Sequence, residues 1–326
     1  MTTLISAILD KDNPKRRGKE IHKNYNIERV KLVLKNSTYA DVNYADEKGN
    51  TPLMHACGYD IRIRVVKLLL EKGADVNLAN DAGDTPLIKV CNSCSEWCED
   101  YRHEVVKLLV EKGADINQVN QSGKSPLMYA CEWNLFETVK FLLEKGADIN
   151  HRDHGGNTPL LSACFDGRLE IVKFLLEKGV NINHVNHHGM SPLLWACNQD
   201  YPETAKFLIE NGANINHADH NGRTSLIWAS YKGFPETVKV LLEKGVDINF
   251  KINGNTALDW AMRGGIHYYC ECGTKHKKVI KILLLHEMKF KELINKNSDY
   301  SIDIYEILIN KIKEKSIVKD IINMIN

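Results

Sequence analysis

Two short stretches hold residue types that bind soft metal ions. Cys91, Cys94, Cys98 and His103 lie within 13 residues, with Trp97 and Tyr101 between them, and His267, Cys270, Cys272 and His276 lie within 10. Thiolates and imidazoles in fours are the donor set of structural zinc. The spacing argues against it. The second stretch has Cys-x-Cys, one residue short of the usual Cys-x2-Cys, and Cys91 falls in phase with a regular series of core cysteines, which leaves three ligands in the first. Both stretches read as exposed loops, with no metal and no other cofactor expected. A third set of titratable residues, His151/His154, His184/His187/His188 and His217/His220, recurs every 33 residues. Stacked helical modules sit about 8–10 Å apart, too far for neighbours to share one ion at ~2 Å bonds. These histidines are therefore duplicated loop residues or a polar row facing a partner. The chain has no phosphate-cradling glycine loop, nucleophile elbow or His-Glu-x-x-His helix. Its Ser, His, Asp and Cys recur at fixed phase, as stacking requires, so no catalytic residue and no enzyme activity is expected.

Composition narrows the remaining classes. With 43% hydrophobic and 26% charged residues among 326, the chain can bury a core and is not wholly disordered. Its 43 Lys+Arg against 42 Asp+Glu leave a net charge of +1, so no basic field points to nucleic acid or an anionic membrane. No apolar run approaches the roughly 18–20 residues that span a bilayer, and Met1–Asp10 lacks the pattern of a signal peptide. Nine cysteines, an odd number without framework spacing, fit free thiols in a reducing compartment, and the expected location is cytoplasmic. Abundant Asn, Ile and Lys suggest an AT-rich genome.

The elements that position these residues repeat. Gly-Ala-Asp-Val/Ile-Asn starts at Gly73, Gly113 and Gly146, with variants at Gly179, Gly212 and Gly245, in steps of 40, 33, 33, 33 and 33. Thr/Ser-Pro-Leu places Pro52, Pro86, Pro126, Pro159 and Pro192 in steps of 34, 40, 33 and 33. Ser225 and Ala257 hold the same place in two looser copies. Each copy reads as helix–turn–helix plus loop. Thr51 or Ser125 caps the first helix and Pro occupies its first position, where a missing N–H costs nothing. The second helix, such as Glu137–Lys145, buries Val139, Leu142 and Leu143 at helical spacing. Gly146 then ends it in the left-handed conformation. Its exposed face carries Lys140, Lys173, Lys206 and Lys239 with Glu144, Glu177, Glu210 and Glu243, an i,i+4 pattern without expected function.

Asn157–Gly179, reading NTPLLSACFDGRLEIVKFLLEKG, resembles the ankyrin-repeat family, and the match recurs seven times over about residues 20–286. The resemblance implies an all-α solenoid of stacked helix–turn–helix units with β-hairpin-like loops. It is similar to the ankyrin proteins of AT-rich large DNA viruses or intracellular microbes. The family's usual His after Thr-Pro-Leu is replaced by Met54, Ile88, Met128, Leu161, Leu194 and Ile227, so an apolar contact is expected there. The second of its paired alanines is Cys57, Cys91, Cys131, Cys164 and Cys197, each read as a small buried hydrophobe. Asn77, Asn117, Asn150, Asn183, Asn216 and Asn249 resemble a position the family occasionally hydroxylates, and turn hydrogen bonding is the expected role.

The organisation expected is a degenerate N-terminal capping repeat over 1–45, about seven repeats over 46–288 with insertions near 92–102 and 264–278, and a helical cap or docking tail over 289–326. The resemblance places partner binding on the concave side, at the residue before Ala-Cys and the two after it. The candidates are Tyr129, Trp133, Phe165, Trp195, Trp228, Tyr231, Trp260 and Arg263, since aromatics and Arg dominate interface energy. Packing between repeats is the alternative for Trp195, Trp228 and Trp260. The expected function is a non-enzymatic protein–protein interaction scaffold. Its partners would be proteins, host proteins included, and the chain itself a monomer. The alternative is a substrate receptor for a ubiquitin-ligase complex, docked through the tail.

Overall fold

The computed structural model describes residues 4–9, 27–58, 63–93, 99–266 and 272–294. Among these the chain is all α, and the expected hairpin-like loops are turns: pairing outside helices is confined to the isolated bridges Ala218–Thr224 and Ile252–Asn255. Two compact units divide at Asn181/Ile182. In the first run α1 (Leu4–Leu9), α2 (Ile27–Lys35), the single turn α3 (Tyr39–Val42), α4 (Pro52–Cys57), α5 (Ile63–Glu71), α6 (Pro86–Cys91), α7 (Glu99–Glu111), α8 (Pro126–Glu132), α9 (Phe136–Glu144), α10 (Pro159–Phe165) and α11 (Leu169–Glu177). The second holds α12 (Pro192–Asn198), α13 (Pro202–Glu210), α14 (Ser225–Lys232), α15 (Pro235–Glu243), α16 (Ala257–Ile266) and α17 (Cys272–Ile294).

Within each unit the first helices form one row and the second helices another. In the first unit α4, α6, α8 and α10 pack in succession, with α5, α7, α9 and α11 beside them; in the second, α12, α14 and α16 pack in succession beside α13, α15 and α17. Each helix pair is too small to bury its own apolar face, so its neighbours complete the core.

Local chemistry sets the helix ends. The hydroxyls of Thr51, Thr85, Ser125, Thr158, Ser191 and Thr224 accept from the backbone N–H three residues on. Those third residues are Met54, Ile88, Met128, Leu161, Leu194 and Ile227, all buried. The expected apolar contact thus occupies the family's His position. Cys57, Cys91, Cys131, Cys164 and Cys197 are fully buried beside them, and burial pushes the thiols of Cys91 and Cys197 up to about 12. After α9, the Gly146 N–H donates to Leu143 O and the Ala147 N–H to Leu142 O, a closure that needs the positive φ of 93°.

The loops are locked in two ways. Asn77 Oδ1 accepts from Asp115 N–H at 2.8 Å while its Nδ2 donates to Gly113 O at 3.0 Å, so one amide pins the next repeat's loop. Asn117 does the same to Asp148 and Gly146, and Asn183 to Asn214 and Gly212. At the tips, Asp46, Asn80, Asn120, Asp153, Asn186 and Asp219 each accept two backbone N–H groups through Oδ1, two and four residues on. The loop histidines have structural work within each unit. His151 Nε2 donates to Gly123 O at 2.6 Å, and His217 Nε2 to Gly189 O at 2.9 Å.

Two expectations change. Lys140, Lys173 and Lys239 pair with the glutamate three residues before, not four after: Glu137–Lys140, Glu170–Lys173 and Glu236–Lys239. These pairs are exposed and contribute a few tenths of a kcal/mol at most, about 0.3–0.5 each. The last second helix, read as Val279–Leu285, runs from Cys272 to Ile294, because no glycine or proline follows Gly273 to end it. The stretch 11–19 and tail residues 295–326 lie outside the described residues, so neither the cap nor the docking role of the tail has a structural description.

Candidate functional site

The first-helix face of the first unit carries two exposed rings. Trp133, just past α8, is 40% exposed, and Phe165, the last residue of α10, is 39% exposed. Trp133 Nε1 donates to Asn92 Oδ1 at 3.1 Å, which holds the indole across to the preceding repeat. Tyr129 is buried, and its hydroxyl accepts from Asn120 Nδ2 at 2.9 Å. It therefore supports this surface from below and offers little area of its own.

Lys89 and Lys124 on this face are paired. Lys89 Nζ meets Asp84 Oδ2 at 3.0 Å, and Lys124 is bonded to Glu132. Burial alone would lower the Lys124 pKa, but the Glu132 hydrogen bond and charge outweigh it and hold it above the ordinary 10.5. Arg168 Nε donates to Glu132 O at 2.9 Å. Beside them, burial raises the Asp166 carboxyl above its ordinary 3.8, opposed by Arg168 and assisted by Glu132.

The second unit gathers the other candidates. Trp195 on α12 is half-buried. Trp228 and Tyr231 on α14 and Trp260 on α16 are also half-buried, and the Tyr231 and Trp260 rings meet edge to face, 5.7 Å apart at 85°. Arg263 is exposed; its guanidinium lies 5.5 Å from the Trp260 ring centroid and donates to Asn255 Oδ1 at 3.1 Å. Arg223, absent from the sequence-based candidates, sits 4.6 Å over Trp228. Arg223, Ile227, Trp228, Tyr231 and Trp260 line a shallow pocket of about 200 Å³. Its faint sequence signal is a position just before the cap Thr224, five residues before Trp228.

A second feature escaped the sequence reading. At Asp46, Asn120 and Asp219 the tip residue also holds the first-helix residue nine positions on. Asp46 Oδ2 accepts from His55 Nε2 at 2.8 Å, and Asp219 Oδ2 accepts from Trp228 Nε1 at 3.0 Å. Asn120, facing a hydroxyl, donates instead to Tyr129. In these three the tip carboxylate serves a ring N–H and the tip amide a phenol.

Part of each metal-like stretch falls among the described residues. Cys94, Trp97, Cys98, His267 and Cys270 lie outside the described residues. Cys91 belongs to the buried cysteine series. His103 Nδ1 lies 3.3 Å from Thr138 Oγ1, and its ring packs edge-on to Phe141. His276 is buried, and its Nε2 donates to Tyr231 O at 2.9 Å. Among the described residues no three His, Cys, Asp or Glu side chains converge on one point, and no helix is long and apolar enough to cross a membrane.

Comparison with known proteins agrees with this architecture. Family models described as ankyrin repeats match residues 33–90, 64–153, 151–219 and 216–293. The crystal structure of the human ASB11 ankyrin repeat domain is similar at 27% identity and a TM-score of 0.60, covering 73% of this chain and 98% of that one. No curated protein sequence matches significantly. Ankyrin repeats are generally protein–protein interaction modules and typically non-enzymatic, and no catalytic family is indicated. Capped, stacked helix pairs with glycine-closed loops and family matches over most of the length have one reading: the chain belongs to the ankyrin-repeat family.

Proposed function

We propose that the chain is a non-enzymatic scaffold that binds a partner protein through the first-helix face and loop tips of its repeats. The observation that carries this is the pocket between Trp228, Tyr231 and Trp260, with arginines over both indoles. The Trp228 indole, fixed by its hydrogen bond to Asp219, and the Tyr231 and Trp260 rings, packed edge to face, lose little entropy when they are covered, and buried Trp and Arg anchors are each worth ~2 kcal/mol or more in interfaces. Trp133 and Phe165 supply a second, smaller apolar contact. A pocket of 200 Å³ falls below the roughly 300–1,000 Å³ of small-molecule sites, which favours a protein side chain over a cofactor as the occupant.

Affinity capture on the immobilised full chain, read by mass spectrometry, tests the proposal. Trp228→Ala and Trp195→Ala should each reduce capture of a specific partner while the helical circular dichroism persists. Undiminished capture by both variants would contradict it, and melting of both would make these rings part of the core.

A further inference from the structure

The charges of the two first-helix faces differ in how they are satisfied. In the first unit Lys89 and Lys124 are neutralised by Asp84 and Glu132. In the second unit Arg223, Lys232 and Arg263 border the aromatic pocket, and none has an ion-pair partner among the described residues. Arg223 has only the Trp228 face, Arg263 the Trp260 face and the neutral Asn255 Oδ1, and Lys232 the neutral Asn198 Oδ1 at 3.2 Å together with the more distant Trp228 ring. Burial holds the Lys232 pKa below 10.5, the opposite of paired Lys124.

The acids near the pocket are already committed. Asp219 accepts from Asn221 N–H, Arg223 N–H and Trp228 Nε1. Asp259 Oδ2 accepts from the Thr256 N–H and hydroxyl. A guanidinium held over an indole is positioned by that ring, while its fork of N–H donors suits a carboxylate bidentately. The pocket thus joins an apolar cavity of one-side-chain size to cationic donors with no acid of their own.

We infer that the pocket of the second unit takes an acidic peptide segment of the partner. An apolar side chain enters between Trp228, Tyr231 and Trp260, and a carboxylate within one or two residues of it is bound by Arg223 or Arg263. This rests on the protein-binding reading above and gives its partner a chemistry.

The test is selection of a phage-displayed library of short random peptides on the folded full chain. The expected outcome is enrichment of Asp or Glu beside Leu, Ile or Phe. Replacing the carboxylates of a selected peptide by amides should weaken binding roughly tenfold or more, the scale of a charge-assisted hydrogen bond. Arg223→Gln with Arg263→Gln should do the same, while salt should weaken the wild-type complex. The amide replacement needs no altered protein, so the inference stays testable if the double variant fails to fold. Selected peptides without acidic residues that still depend on Trp228 would overturn the inference and leave the scaffold reading intact. Peptides whose binding is unchanged by both Trp228→Ala and Trp133→Ala would overturn both.

Discussion

Asp219 divides its two oxygens between the chain and the surface. Oδ1 closes the loop tip through Asn221 and Arg223 N–H, and Oδ2 fixes the Trp228 indole. Asp219→Asn keeps the oxygen that closes the turn but sets an NH2 donor against the indole N–H. The expected result is a shifted Trp emission and weaker partner binding, with stability lowered by about 1 kcal/mol in chemical denaturation. Asp166 shows the reverse balance. It caps the C-terminal end of α10, where the helix dipole disfavours an anion, and burial raises its pKa. A carboxyl raised in the folded state favours folding while protonated and loses that advantage as pH rises through the folded-state value. Asp166→Asn should therefore raise the melting temperature at neutral pH, with the gain shrinking as pH falls toward the ordinary carboxylate value of 3.8. Differential scanning calorimetry at several pH values would show either trend.

At the scale of elements, α14 and α16 approach closely at Gly264. A Cβ on Gly264 would stand 2.0 Å from Tyr231 O and 2.7 Å from His276 Nε2, and one on Gly233 would meet the same imidazole. The two glycines make the cradle in which α17 docks its histidine against the Tyr231 carbonyl. Gly264→Ala should cost about 1–3 kcal/mol through overpacking, seen as a lower denaturation midpoint. An unchanged midpoint would mean that α16 and α14 are not held this closely. What was legible in the sequence was short-range. Thr51 and its equivalents announce helix starts, Gly146 announces an end, and the cysteine series announces the core, because each acts within one helix turn. The Asp46–His55 and Asp219–Trp228 bonds were not legible, since nine residues across a turn match neither helix nor strand period. Arg223 was missed for a related reason: it reaches Trp228 from a loop, outside the phase of the helical stripe. Tyr129 shares that stripe yet is buried, because Asn120 beneath it offers a donor to its hydroxyl.

For the molecule as a whole, stability in each unit comes from neighbour packing on neighbour, while the first-helix residues vary in charge and aromaticity over a constant frame. Glycines, caps and loop amides repeat from copy to copy; the first-helix residue three after the Pro position does not, being His55, Lys89, Tyr129 and Ser162 before it settles on Trp195, Trp228 and Trp260, and that separation of frame from surface is what a binding scaffold requires. Hydroxyl-radical footprinting of the full chain, free and bound to a captured partner, tests this most directly. The account predicts that binding lowers oxidation of Trp133, Phe165, Trp228 and Trp260 severalfold, leaving Tyr101 on α7, 52% exposed, unchanged. Protection of Tyr101 with Trp133 and Trp228 still fully labelled would contradict it.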